Sequence, residues 1–63
     1  MSNDGPELSS VATVLDDLSR RITTLAERRA GAEPDEVATT LFEVERALQE
    51  ARRRLKKAVD LLG

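Results

Sequence analysis

The chain contains no cysteine, histidine, tryptophan or tyrosine, and a single phenylalanine, Phe42. Without cysteine there can be no disulfide and no thiolate nucleophile. With histidine missing as well, the usual zinc ligand sets cannot be assembled, nor can triads that rely on an imidazole base. The hydroxyls include the pairs Thr23-Thr24 and Thr39-Thr40. They have no base to activate them, and surface positions on a helix suit them. Asp16 and Asp17 are adjacent, so on a helix they point in different directions and cannot share one site. No phosphate loop, dinucleotide fingerprint or calcium loop occurs. These absences argue against an enzyme, and no metal or cofactor is expected.

Glycine and proline are also scarce, three and two in 63 residues. They stand at Gly5-Pro6, at Gly31 and Pro34, and at Gly63, which leaves two long uninterrupted stretches. No apolar run approaches the roughly 20 residues that span a bilayer, so no membrane partner is expected. The opening residues Met1 to Pro6 have neither the basic nor the apolar segment of a signal peptide, which gives the expectation of a cytoplasmic protein. Arginine far outnumbers lysine, and alanine is abundant, a usage associated with GC-rich bacterial genomes.

Within the two stretches the apolar residues keep helical time. Val37, Leu41, Val44, Leu48, Ala51, Leu55, Ala58 and Leu62 alternate steps of four and three. Leu8, Val11, Leu15, Leu18, Ile22 and Leu25 do the same. This rhythm lines one side of a helix and is the coiled-coil pattern. The sequence therefore predicts an all-α chain, an antiparallel two-helix hairpin. Residues 1–5 are expected to be disordered. Residues 6–63 form one domain, with a helix over 6–30, a turn at 31–33 and a second helix over 34–62. Pro6 and Pro34 suit first helical positions, Arg28 and Arg29 suit a helix end, and Gly31 suits a left-handed cap.

Charge fits the hairpin. Twelve acidic and ten basic residues leave a net charge of −2. If the chain folds near residue 32, position i lies beside about 64 − i. Asp16 and Asp17 then approach Arg46 to Arg53, Arg20 and Arg21 approach Glu43 and Glu45, and Arg28 and Arg29 approach Asp35 and Glu36.

A hairpin this small buries little, and with disulfides and metals excluded the remaining remedy is a partner. With Leu8 and Leu41 written as position a of a heptad, Val14 and Leu61 fall at g, Val59 at e and Phe42 at b. Val14, Phe42, Val59 and Leu61 flank the seam and are the expected contact residues. The simplest assembly is a homodimer forming a four-helix bundle, with a helical protein of another sequence as the alternative partner. The expected role is a non-enzymatic protein–protein interaction module.

One basic cluster, Arg52, Arg53, Arg54, Lys56 and Lys57, suggests an alternative: direct contact with a nucleotide or nucleic acid. The even charge balance and the lack of interleaved aromatics weigh against it, and a solvated, ion-paired face is favoured. In outline the chain also resembles the small subunit of exodeoxyribonuclease VII. The likeness rests on Leu15, Leu18 and Leu25 in the first helix and on Leu41-Phe42-Glu43 and Leu48 in the second. It departs at Glu45, where that family has glycine, at Ala26, where it has glutamate, and in a longer link. The resemblance implies an accessory, non-catalytic helical subunit of a nucleic-acid enzyme.

Overall fold

The computed structural model describes residues 3–31 and 35–63, and these form two α-helices. Helix α1 is Asp4–Arg29 and helix α2 is Glu36–Leu62. Met1 and Ser2, expected to be disordered, lie outside the described residues, as do the link residues Ala32 and Glu33 and the expected helix start at Pro34.

α1 starts at Asp4, ahead of the position expected from Pro6. Gly5 and Pro6 therefore sit in its first turn, where a missing N–H has no intrahelical partner to lose. The first intrahelical bond runs from the Glu7 N–H to the Asn3 carbonyl at 3.0 Å. Asp4 and Glu7 place negative charge in the first turn and Arg28 and Arg29 place positive charge in the last, as the helix dipole favours.

The end of α1 differs from expectation. No described glycine has a positive φ, so Gly31 is not a left-handed cap. The helix closes at Ala30, whose φ of −80° and ψ of 63° are those of an inverse γ-turn. The Gly31 N–H donates to the Arg29 carbonyl at 2.9 Å, and the Ala30 N–H to the Ala26 carbonyl at 2.9 Å. A three-residue turn of this kind needs no left-handed residue.

α2 is started by Asp35, in extended conformation. Its Oδ1 accepts from the Val37 N–H at 2.8 Å and the Ala38 N–H at 3.3 Å. Its Oδ2 lies 3.2 Å from the Arg29 guanidinium. One carboxylate thus caps α2 and holds the last turn of α1 beside it.

The helices run antiparallel. Arg52 reaches Asp16 at 2.7 Å, and the Thr23 hydroxyl reaches Glu45 Oε2 at 2.7 Å. Along the body of the hairpin, residue i therefore lies beside about 68 − i. That is one helical turn away from the expected register, although Arg29 and Asp35 next to the link pair as expected. Arg20 and Arg21 do not cross to Glu43 and Glu45. They turn back to Asp16 at 2.6 Å and Asp17 at 4.0 Å, one turn earlier in the same helix.

The larger departure is in the seam. Leu8, Leu15 and Ile22 on α1, and Leu41, Leu48 and Leu55 on α2, are partly covered as expected. Their expected companions are not: Val11, Leu18 and Leu25, with Val37 and Val44, are all exposed. Position e takes the place of position d. On α1 the e residues are Ala12, Ser19 and Ala26, and on α2 they are Ala38, Glu45, Arg52 and Val59. Among the described residues only Ala26, Ala38 and Ser19 are buried, at 0%, 4% and 3% exposure. The reason is steric. Small residues along the e row of α1 permit close approach on that edge, and it is the larger d residues that are left exposed. The result is a rod 53 × 14 × 10 Å in extent.

Candidate interaction surfaces

Because the helices are antiparallel, equal rotations about them point to the same side of the hairpin. The b rows therefore share one broad face and the d rows share the other. Sequence makes these two faces chemically opposite.

The b face is wet. Ser9, Asp16 and Thr23 line it on α1, and Phe42, Gln49 and Lys56 line it on α2. The seam on this side is closed by long side chains from α2. Glu45 and Arg52 cross the small row of α1 and end on Thr23 and Asp16. Their aliphatic stems cover the seam while their charged ends remain partly solvated. The Thr23 hydroxyl also lies 3.0 Å from the Ser19 carbonyl. It has one proton, and the carboxylate is the stronger acceptor. Farther from the turn, Ser9, Ala12, Gln49, Arg52, Lys56 and Val59 line an open groove of about 400 Å³.

The d face is dry. Val11, Leu18 and Leu25 on α1 stand beside Val37, Val44, Ala51 and Ala58 on α2, with Val14, Leu61 and Leu62 at its margin. Val11 is 48% exposed, Leu18 40%, Leu25 43%, Val37 48% and Val44 38%. α1 thus carries small and apolar residues from d through a to e, about 100° around the helix, and α2 carries apolar residues along a and d; only the a–e side of each is used within the hairpin. Leu8, Val11 and Leu62 line a shallow hollow on this side together with Asp4 and Glu7.

The four expected contact residues are not brought together. Val14 and Leu61 are strongly exposed along the margin of the dry face. Val59 is half-buried in the seam. Phe42 lies on the wet face near the turn, with about two thirds of its surface covered. Sequence periodicity missed the d row as a surface because it had already assigned those residues to the seam. The signal that could have found it was the run of small residues at Ala12, Ser19 and Ala26, which favours close approach along the neighbouring row.

The basic cluster is divided by the helix. Arg52, Arg53 and Lys56 lie toward the wet face, and Arg54 and Lys57 lie around the other side, since three consecutive residues spread over about 200°. Arg52 is paired with Asp16, and Arg53 and Arg54 both bond Glu50, the latter at 3.0 Å. Hydrogen bonds from Arg54 and Arg53 hold the Glu50 carboxyl below its ordinary range. Among the described residues, no group of three or more acidic side chains is placed to hold a metal ion. No described helix is long and apolar enough to cross a membrane.

No family model matches the chain, and no curated protein or solved structure matches it either. The likeness to the exodeoxyribonuclease VII small subunit stays with the residues quoted for it.

Proposed function

We propose that this chain is a non-enzymatic protein–protein interaction module that acts as a homodimer, with the dry face as its contact surface. The observation that carries this reading is the uncovered row of Val11, Leu18, Leu25, Val37 and Val44 on one side of the hairpin. Monomeric proteins rarely leave so continuous an apolar strip in water. A chain of 63 residues whose only buried described side chains are two alanines and a serine has little core of its own. Stability for such a chain comes from association. Two such stripes pressed together form a four-helix bundle, in which each helix contacts one neighbour through a and e and another through a and d.

Sedimentation equilibrium at micromolar concentration tests this. The expected species has twice the 6.9 kDa chain mass, and Leu18→Glu with Val44→Glu should return it to 6.9 kDa with loss of helical signal. A wild-type chain that is fully helical at 6.9 kDa would overturn the reading. An accessory role beside a nucleic-acid enzyme, through Arg52, Arg53, Arg54, Lys56 and Lys57, has less behind it. Three of those five cations are engaged by Asp16 and Glu50.

A further inference from the structure

We infer that the occupant of the dry face is a second copy seated with its α2 against α1 of the first, both chain reversals lying at the same end of the bundle. The inference rests on the homodimer reading and adds its geometry.

Area comes first. The longer helix, of 27 residues, spans about 40 Å, so a face 14 Å wide offers roughly 550 Å² per copy and a face-to-face pair buries roughly 1,100 Å². A biological interface clears about 1,000 Å² with good complementarity. A second copy is therefore large enough to use the whole stripe, and a two-fold pair closes without leaving another dry face exposed.

Two such pairs are available to flat, elongated faces. In one, the two-fold axis runs along the rod and α1 lies on α2 of the second copy. In the other, the axis runs across the rod, and α1 lies on α1 and α2 on α2. Layer sizes separate them. With residue i beside about 68 − i, Val11, Leu18 and Leu25 are level with Ala58, Ala51 and Val44. Laying α1 on the second copy's α2 sets Leu18 on Ala51, Val11 on Ala58 and Leu25 on Val44. Each layer then pairs a larger with a smaller or equal side chain, and both edges of the bundle have the same thickness. Laying α1 on α1 stacks Leu18 on Leu18 along one edge and Ala51 on Ala51 along the other. That forces the edges to unequal spacing and loosens one of them, against the uniform density of packed interiors.

The margins agree. Glu7 comes within about a turn of Lys57 of the second copy, Arg21 of its Glu43 and Glu50, and Arg28 of its Glu36 and Glu43. Asp17 falls between its Arg54 and Glu50. Opposite charges at the rim set orientation more than affinity. The crosswise stacking also offers opposite charges, so side-chain size is what chooses between the two.

The test uses two single variants, Leu18→Cys and Ala51→Cys, each checked for helicity. They are oxidised separately and after refolding together, with wild-type sedimentation run in parallel. Keeping the two cysteines on different chains removes any disulfide within one hairpin. The expected result is a covalent band at twice the 6.9 kDa chain mass in the mixture and little in either variant alone. Such a bond requires Cα atoms within about 7 Å, so it reports direct opposition. A strong band from Leu18→Cys alone, with none added by mixing, would overturn the orientation and leave the homodimer standing. A wild-type dimer with no band in any lane would place the contact elsewhere and also overturn the inference. A wild-type monomer would remove both the inference and the reading beneath it.

Discussion

Among the described residues, Ser19 is the one whose buried side chain is left unsatisfied. It is 3% exposed, and its hydroxyl has no hydrogen-bond partner. The rows above and below it carry Ala12 and Ala26, so Ser19→Ala replaces a buried polar atom with the size the seam already accepts. A buried unsatisfied hydroxyl costs about 1–3 kcal/mol, and part of that returns when it is removed. The variant should be more stable by about 1 kcal/mol, seen as a higher urea midpoint with an unchanged slope. Asp35 is the opposite case, a side chain with every oxygen in use. Partial burial pulls its pKa up, but the Ala38 and Val37 amides and the Arg29 guanidinium outweigh this and leave it below the ordinary value of 3.8. A depressed carboxylate contributes stability that is present above its unfolded pKa and is lost as pH falls through its folded pKa. Acid titration of helicity should therefore show a loss beginning near pH 4 and continuing below it. Asp35→Asn keeps an acceptor for the amides, so it should remain helical and lose that part of the acid dependence. The sequence marked a helix restart here, but it pointed to Pro34 and did not show one carboxylate serving both helices.

At the scale of the element, the two helices play unequal parts. α1 supplies a row of small residues, and α2 lays Ala38, Glu45, Arg52 and Val59 across it. Ala26 is fully covered, at 0% exposure. Ala26→Leu should push the helices apart and cost about 1–3 kcal/mol, the usual effect of overpacking. Thermal denaturation followed by circular dichroism would measure it. The same change at the exposed Ala47 should have little effect, which separates a packing fault from a change in helix propensity. Both helices, their antiparallel pairing and an approach of Asp16 to the stretch from Arg46 to Arg53 were legible in sequence. The edge along which they meet was not. Leucine and valine mark a stripe strongly, whereas alanine and serine mark one weakly, so the pattern pointed to a and d although contact runs through a and e. The register was off by one turn for a related reason. Opposite charges recur along both helices, so several alignments satisfy them, and the long side chains of Glu45 and Arg52 select one by where they end.

For the whole molecule, the asymmetry between a wet and a dry face governs behaviour. The wet face is finished: its seam is closed by Glu45 and Arg52, and most of its basic cluster is paired. The dry face is left uncovered. If association supplies the missing core, stability must depend on protein concentration, because a dimer is favoured over unfolded chains by mass action. Each tenfold dilution should lower the apparent unfolding free energy by about 1.4 kcal/mol, read as a falling Tm in a dilution series. Placing glutamate at Leu18 should abolish that dependence and leave a weakly helical chain. Placing it at Phe42, on the wet face, should leave the dependence intact.

The order of residues alone determined that this chain is helical and interrupted near Gly31, and its composition leaves out cysteine and histidine. Those properties follow from local spacing and composition, which need no knowledge of what packs where. Only the folded arrangement decided which of two adjacent rows each helix turns inward. That choice depends on how closely two backbones can approach, a property of the pair and of neither helix separately. It moved Val11, Leu18, Leu25, Val37 and Val44 from the inside of the hairpin to its surface, and so made a dry face where the pattern of the sequence had suggested a seam.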